Sequence, residues 1–334
     1  MKKYIALFLV LILVTGCGKK DMSGIKDDFV KSIEKRSSFL VKGTMQIISN
    51  EDTFTYDVTA AKDDDNYRVT LVNQINNHEQ VILKSNNEVY VVTPSLNKSF
   101  KFQSEWPDNG SQAYLLDSLM HDVKNDNEST AEKTDKGYII TTKVNYPNNA
   151  NLVKERIYVD ENAELQKVEV LDSEDKVKIS VKFNSIDFKP SFDKDFFKLE
   201  ALIDEECCEE EDTTVSKIME DIIYPLYLPA NTHLASKDKV KTANGNRIIL
   251  TFAGESPFTL IEEVARPRKD FEIIPVFGEP LIVTDTYGAL SANSLHWTSN
   301  NIAFFLSSDN LPATELLTIA ESLSAGSLTV AGAK

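Results

Sequence analysis

A cysteine that directly follows an apolar run is the residue with the clearest chemistry in this sequence of 334 residues. Lys2 and Lys3 precede an uninterrupted apolar stretch at 4–14, which leads into Val14-Thr15-Gly16-Cys17. A helix over that stretch rises about 16 Å, roughly half of the hydrocarbon core of a bilayer, so it is too short to span comfortably. This arrangement is typical of a signal peptide.

The four residues at 14–17 resemble the bacterial lipobox, in which a small residue precedes the cysteine that becomes diacylated. The sequence therefore predicts that residues 1–16 are removed, that Cys17 is lipidated, and that residues 17–21 form a short tether. Two acyl chains such as palmitate supply stable anchoring, so we expect the protein on the outer face of the cell membrane, anchored through Cys17 and not spanning it. An ordinary secretory signal followed by a chance cysteine is the alternative.

The other two cysteines, Cys207 and Cys208, are adjacent within an acidic stretch. Adjacent cysteines can close only a strained ring, which argues against a structural disulfide. The flanking carboxylates disfavour the thiolate, which argues against a reactive nucleophile. A vicinal redox switch is the remaining use for this pair.

We predict no catalytic residue and no metal or cofactor site, because the required residue types do not recur at working spacings. A zinc site needs three or four converging ligands, and none of the four histidines has a second His or Cys at ligand spacing: His78, His121, His233 and His296. The nearest match to a serine-nucleophile elbow, at 254–257, lacks the second glycine. Asp63, Asp64 and Asp65 lack the glycine that a calcium loop requires and are better explained as a turn.

The charge balance argues against nucleic acid as a partner. The chain has 36 Lys and Arg against 52 Asp and Glu, a formal net charge of -16, and such a surface repels phosphates and anionic headgroups. Much of the excess lies in the segment 204–212, which reads DEECCEEED and is predicted to be a solvated linker between two domains. The densest basic cluster is 266–269, a predicted solvated loop that could meet an acidic partner or the acidic linker.

The elements that would position any site change character along the chain. Ile25, Phe29 and Ile33 recur every four residues and predict a helix over 22–38. From 40 to 188 apolar residues alternate with polar ones, which is typical of an antiparallel sheet with one buried face, and helical spacing returns at 112–123. Such a sheet with helices on its concave face can hold a filled core or a groove for acyl chains.

The second half is predicted to be a smaller α+β domain over 213–330. A helical face begins at Val215, and five short segments have strand character: 247–252, 258–264, 273–277, 281–283 and 302–306. Pro312 is expected to open a final helix, because its missing N–H would have no partner there. The buried stripe of that helix is predicted to be Leu316, Ile319, Ala320 and Leu323.

The residues from about 22 to 200 resemble the LolA/LolB-like lipoprotein-carrier superfamily. The similarity lies in a leading helix, a long meander with closing strands at 157–160 and 168–170, and an Asp-x-x-Phe ending at 193–197. The resemblance implies an α+β fold in which a strongly curved, open half-barrel over 22–203 holds helices in its concavity. It does not bring a catalytic signature.

The second half is similar to the small domain that follows this fold in some Gram-positive sporulation lipoproteins, and a related two-domain arrangement occurs in RseB-type regulators. The similarity lies at 295–297, 303–306 and 315–323. The chain as a whole resembles sporulation and germination lipoproteins of the YdcC and GerS type, although the GerS type lacks the second domain. This likeness implies a non-catalytic envelope lipoprotein, located at the membrane or in the forespore or spore envelope, that binds and regulates a protein such as a spore-cortex amidase.

Two other functions stay open at the level of sequence. A lipid- or lipoprotein-binding or sorting protein, or an RseB-like sensor, would use the half-barrel groove for a hydrophobic ligand. A hydrolase with dispersed residues would need a nucleophile or base held against an orienting partner. Extended antiparallel edges permit strand exchange between copies, so a homodimer is one assembly that the sequence allows.

Overall fold

Two sheets dominate the computed structural model, which describes residues 22–49, 52–203, 222–242 and 245–331. The first half of the chain supplies two helices and eleven strands. Their bounds are α1 (Met22–Glu34), β1 (Ser38–Ser49), β2 (Asp52–Asp63), β3 (Asn66–Asn73), β4 (Glu79–Ser85), β5 (Glu88–Thr93), β6 (Lys98–Phe102), α2 (Leu116–Asn125), β7 (Thr130–Thr134), β8 (Gly137–Lys143), β9 (Leu152–Val159), β10 (Leu165–Asp172) and β11 (Val177–Asp187).

The described part of the second half adds eight strands and one helix, after a short 3-10 turn at Leu199–Leu202. Their bounds are β12 (Thr232–Thr242), β13 (Gly245–Gly254), β14 (Phe258–Val264), β15 (Glu272–Val276), β16 (Gly278–Val283), β17 (Thr286–Ser291), β18 (Ser294–Ser299), β19 (Ile302–Ser307) and α3 (Ala313–Ala331).

The large sheet joins twelve of the described strands in the order β15-β6-β5-β4-β3-β2-β1-β11-β10-β9-β8-β7. Strand β1 pairs with both β2 and β11 and so unites two meanders, and all pairs are antiparallel except β15 with β6. The sheet is strongly curved and is not closed into a barrel, and a smaller sheet follows it, so the predicted α+β class is confirmed.

Alternation and turn chemistry explain why these strands form where they do. Tyr67, Val69 and Leu71 are buried on one face of β3, as their spacing predicts. Strands β4 and β5 are joined by Asn86 and Asn87, whose φ angles are 52° and 63°. Asparagine tolerates this left-handed region well, and a two-residue turn of this kind matches the twist of a hairpin.

The concave face of the large sheet is filled by the chain's own helices. Ile25, Phe29 and Ile33 of α1 are almost completely buried, and Leu119 and Val123 of α2 join them. These side chains form one continuous core with the inward residues of the strands. The half-barrel therefore holds a packed interior and not an open groove along its length.

The small sheet has the order β12-β13-β14-β19-β18-β17-β16, and α3 packs against it. The predicted stripe Leu316, Ile319, Ala320 and Leu323 is buried as expected. Helix α3 begins at Ala313, one residue later than predicted, so Pro312 stands directly before it. The Pro312 carbonyl oxygen accepts a hydrogen bond from the Leu316 N–H (3.1 Å).

A polar seam joins the two sheets, and Gln80 of β4 is its centre. Its Oε1 accepts hydrogen bonds from the Tyr287 N–H (2.6 Å) and the Thr286 hydroxyl (2.9 Å), and its Nε2 donates to the Tyr287 carbonyl (3.0 Å). The side-chain amide thus pairs with the backbone of β17 as a neighbouring strand would. Because all of these groups are buried, leaving any one unpaired would be costly.

Three tyrosine hydroxyls, those of Tyr56, Tyr114 and Tyr287, extend the seam. The Tyr56 hydroxyl donates to the Asp285 carbonyl (2.5 Å), and the hydroxyls of Tyr114 and Tyr287 are 2.7 Å apart. Burial raises the pKa of the Asp285 carboxyl, which accepts hydrogen bonds from the hydroxyls of Ser299 (3.0 Å) and Thr284 (3.2 Å). The turn that joins β16 and β17 is therefore fixed to the large sheet.

Several element boundaries differ from those that the sequence predicted. Helix α1 ends at Glu34, before 38, because Ser38 already begins β1, and α2 starts at Leu116 after a turn at 112–115. Strands β12 and β17 were not predicted, whereas β18 covers the segment 295–297 that the family resemblance implied as a strand. Strand β17 is buried on both faces and β12 is exposed on both, so neither shows the alternation that marks a half-buried strand.

Some predictions fall on residues that the structure does not describe. The signal peptide at 1–16, Cys17 with its tether at 17–21, and the acidic segment 204–212 with its two cysteines lie outside the described ranges. The helical face from Val215 also lies there, except for Ile222, which is not helical. Among the described residues, no helix combines the length and apolar character that crossing a membrane requires.

Replacing the central seam residue should destabilise the protein strongly. Gln80→Ala leaves the Tyr287 N–H and carbonyl and the Thr286 hydroxyl without their buried partner, and we expect the free energy of unfolding to fall by about 2–4 kcal/mol. Urea unfolding followed by tryptophan fluorescence measures this. Gln74→Ala is the matched control, because exposed Gln74 makes one side-chain hydrogen bond, to Asp57. Equal losses in both variants would show that the seam contributes nothing particular.

Candidate functional site

A cleft of about 180 Å³ opens beside the seam, where the two sheets meet. The end of β1, the loops that follow β6 and β8, the start of β11, and β16 surround it. Apolar side chains form much of its wall: Ile47, Leu152, Ile179, Leu281 and Ile282. This volume is below the ~300–1,000 Å³ that is usual for small-molecule pockets, so the cleft suits one side chain or a short segment of a larger ligand.

Three polar atoms of cleft residues are enclosed without a hydrogen-bond partner. They are Trp106 Nε1, Asn109 Nδ2 and the Tyr146 hydroxyl oxygen. The indole and amide nitrogens can only donate, whereas the hydroxyl can donate or accept. Because buried polar groups are nearly always paired in folded proteins, this arrangement fits a ligand that presents an oxygen acceptor next to an apolar group.

A pair of buried carboxylates lies behind the cleft wall. Glu155 of β9 is 0% exposed and neither of its oxygens has a partner, and Asp122 of α2 has one enclosed oxygen without a partner. Burial raises the pKa of Asp122 to about 6. A hydrogen bond with Ser111 acts in the opposite direction and is the weaker effect. Burial, with the charge of Asp122 added, raises the pKa of Glu155 well above its ordinary value. Burial likewise raises the pKa of Tyr146, with Glu155 contributing.

These two carboxylates are the converging acids that a hydrolase would need, but they do not reach the cleft. Neither Asp122 nor Glu155 lines it, and the oxygens of Glu155 are enclosed. A general acid or base must come within hydrogen-bond distance of the group that it protonates. Tyr146 lines the cleft, whereas the two carboxylates do not. The carboxylates that do line the cleft are Glu279 and Glu321, and Lys178 lines it too. Burial raises the pKa of Glu321, and the charge of Lys178 opposes that rise.

The four histidines lie in separate environments. Part-buried His78 lies near Asp285 at the seam, whereas His121 and His233 are exposed. His296 packs against the rings of Phe100 (5.9 Å) and Phe305 (4.3 Å), and burial lowers its pKa to about 4. Within the described ranges, no three or more His, Cys, Asp or Glu side chains are grouped so that they could hold a metal ion.

The comparisons with known proteins identify a family. The family model described as sporulation protein YdcC-like matches residues 1–197. Sporulation protein YdcC of Bacillus subtilis (strain 168) is 36% identical over 320 residues, which covers 94% of this chain and 94% of that protein. The chain belongs to the sporulation protein YdcC-like family. The resemblance to YdcC-type proteins that the sequence predicted is therefore confirmed.

Solved structures with similar chains are more distant. A chain of the Pseudomonas aeruginosa MucA/MucB complex is 11% identical with a TM-score of 0.32, covering 90% of this chain and 97% of that one. A LolA superfamily protein from Nitrosomonas europaea is 14% identical with a TM-score of 0.30, covering 53% of this chain and 97% of that one. Since these TM-scores are low, the family assignment rests on the sequence relatives. None of the relatives named here carries the name of an enzyme.

The sequence contained a signal for Glu155 and Gln80 that the sequence analysis did not use. Glu155 precedes Ile157 and Val159 at inward positions of β9, and Gln80 precedes Ile82 at an inward position of β4. A polar residue at an inward position is uncommon and marks either a function or a structural contact. Trp106, Asn109 and Tyr146 lie in loops, where no periodicity points to them.

Removing the buried acid should change how stability depends on pH. The folded state raises the pKa of Glu155, so it binds the proton more tightly than the unfolded chain, where the pKa is about 4.3. Stability is therefore fully present at low pH and is lost as pH rises above that value. We expect Glu155→Gln to add about 1–3 kcal/mol to the free energy of unfolding at pH 8 and little at pH 4.

Urea unfolding at pH 4, 6 and 8 measures this difference. The control is Glu161→Gln, at an exposed position in the turn between β9 and β10, which should leave stability unchanged at every pH. A constant effect of Glu155→Gln across the pH range would contradict the account, because a carboxyl that is charged in both states carries no such dependence.

Proposed function

We propose that the protein is a non-catalytic envelope lipoprotein, anchored to the membrane through a diacylated Cys17, that binds and regulates another envelope protein during sporulation or germination. The motif at 14–17 supports the anchor. Membership of the sporulation protein YdcC-like family supports the cellular process. A spore-cortex amidase is the partner that the likeness to GerS-type proteins favours.

The observation that carries this proposal is the filled concave face. Phe29 of α1 is fully buried in the core that the helices form with the large sheet. The cleft of about 180 Å³ is lined by other elements and by no residue of α1 or α2. A carrier must sequester most of an acyl chain from water, since each exposed CH₂ costs about 0.8 kcal/mol. A binding protein needs only surface features that complement a partner, and the cleft with its unpaired donors is one such feature.

The second candidate function is a lipid- or lipoprotein-binding protein or sensor. The apolar wall of the cleft favours it, because Ile47, Leu152 and Ile179 could contact the end of an acyl chain. Permanent anchoring through Cys17 fits a tethered acceptor or sensor better than a carrier that must leave the membrane.

Lipidation of Cys17 has a direct test. In cells, Cys17→Ala should move the protein from the membrane fraction to the soluble fraction and abolish labelling by a palmitate analogue. The double variant Cys207→Ala, Cys208→Ala is the control, and it should stay labelled and in the membrane. A Cys17→Ala protein that remains in the membrane and labelled would show that another group anchors it.

Partner binding has its own test. The mature protein, cross-linked in sporulating cells and purified, should bring down an envelope or cortex enzyme, whereas Trp106→Phe, which removes one cleft donor, should bring down about tenfold less. Trp297→Phe is the matched control, because Trp297 is buried in the core of the small sheet and does not line the cleft. The proposal fails if no envelope or cortex enzyme is enriched over a soluble form that begins after the anchor.

A further inference from the structure

The outer edge of β15 carries backbone groups that no other described strand pairs. Strand β15 is the last strand of the large sheet and lies parallel to β6. The Glu272 N–H donates to the Asn97 carbonyl (2.9 Å), and the Gln103 N–H donates to the Val276 carbonyl (3.3 Å). Even-numbered residues therefore bond to β6, and Ile273 and Pro275 turn their backbone groups away from it.

The side chains on the outer face of β15 are apolar and exposed. Phe271 packs on the convex face of the large sheet. Because side chains alternate between the two faces of a strand, Ile273, Pro275 and Phe277 lie on the same face as Phe271. Ile273 is 45% exposed, Phe277 is 74% exposed, and Pro275 between them is also exposed. Folded proteins rarely present a contiguous row of large apolar side chains unless it is a binding surface.

A groove of about 310 Å³ runs beside this edge. Its walls are 274–277 on one side and the turn at 291–294 with His296 on the other. A side chain that projects from a strand docked on β15 would meet this groove. Extended peptides that add to a sheet edge gain affinity from main-chain hydrogen bonds and specificity from pockets of this kind.

The loop at 266–270, which leads into β15, holds three cations and one acid, Asp270, whereas the chain as a whole is acidic. Arg266, Arg268 and Lys269 are exposed in the loop that leads into β15, on a chain whose net charge is -16. Arg268 Nε forms an ion pair with Glu272 (3.0 Å). Neither Arg266 nor Lys269 pairs with an acid anywhere in the described ranges, so this loop attracts anionic segments.

We propose that the edge of β15 binds an extended, acidic segment of a partner protein, which adds to the large sheet as a further strand. The backbone of Ile273 and the carbonyl of Pro275 bond to the incoming strand. Phe277 and the adjacent groove hold an apolar side chain of it, and the loop at 266–269 pairs with its carboxylates. The proline has no N–H, so it suits an edge and limits unspecific pairing there.

This inference rests on the proposed function only in requiring a protein partner. Its test uses a synthetic peptide and no partner protein from the cell. The probe is a fluorescent peptide of ten residues in which Asp or Glu alternates with Val and one central Phe. Anisotropy titration against the mature protein should give saturable binding that weakens as salt rises. A peptide with Lys in place of the acids should bind about tenfold more weakly or not at all.

The decisive comparison is between Ile273→Pro and Ile273→Thr. Both replace the isoleucine side chain by a smaller one, but only the proline removes the outward N–H, and the ladder with β6 does not use that group. We expect Ile273→Pro to weaken binding of the probe about tenfold relative to Ile273→Thr, with unchanged circular dichroism. Equal binding by the two variants, or no saturable binding by the wild-type protein, would overturn the proposal.

Two further variants test the charge and the competing occupant. Arg266→Glu with Lys269→Glu should weaken binding, whereas Lys237→Glu with Lys239→Glu, on the exposed edge strand β12, should not. If the wild-type protein does not bind the probe but a variant with 204–212 replaced by Gly and Ser does, the chain's own acidic segment occupies the edge and the proposal is wrong. Failure of the cellular cross-linking test leaves this result unaffected.

Discussion

An open sheet of this width has to cover its concave face, and that constraint organises the rest of the molecule. The strands contribute inward apolar side chains. Without cover these would be exposed to water, at a free-energy cost of about 25 cal/mol per Å² of apolar surface. Helix α1 supplies Ile25, Phe29 and Ile33, and α2 supplies a second row. Because the cover comes from the chain itself, the curvature of the half-barrel encloses a core.

The small sheet is held by apolar packing of Tyr287 and Ala289 in the large core and, in addition, by polar contacts. Gln80 pairs with the backbone of β17, and the tyrosine hydroxyls continue the same line. Such contacts are directional, so they fix one relative placement of the sheets where apolar packing alone would allow several. The cleft, with its unpaired donors, lies beside this line. Strand β15 carries the second half across onto the edge of the large sheet.

Periodic features of the fold could be predicted from the sequence, and features set by distant contacts could not. The α1 stripe and the alternation of β3 follow from local burial on one face, and the Asn86-Asn87 turn follows from a local backbone preference. Strand β17 carries no such period because sheets and helices cover both of its faces. Parallel pairing of β15 with β6 joins residues about 170 apart in sequence, which no local pattern reports.

The candidate site divides in the same way. Glu155 and Gln80 could have been recognised as polar residues at inward strand positions, although one acid among 52 Asp and Glu does not stand out. Trp106, Asn109 and Tyr146 could not, because their loops converge only when β1, β11 and β16 are in place. Cys17 is the reverse case, since its prediction comes entirely from the motif and its position after the apolar stretch.

The central claim is that the half-barrel is filled by its own side chains and does not carry lipid. Native mass spectrometry of the Cys17→Ala protein, purified from sporulating cells without detergent, tests it most directly. The account predicts the mass of the bare chain alone, with no adduct retained under conditions that preserve a known lipid-binding protein and its ligand. A stoichiometric lipid or fatty-acid adduct, lost when Phe29 is replaced by Trp but not when exposed Ile75 is, would contradict it.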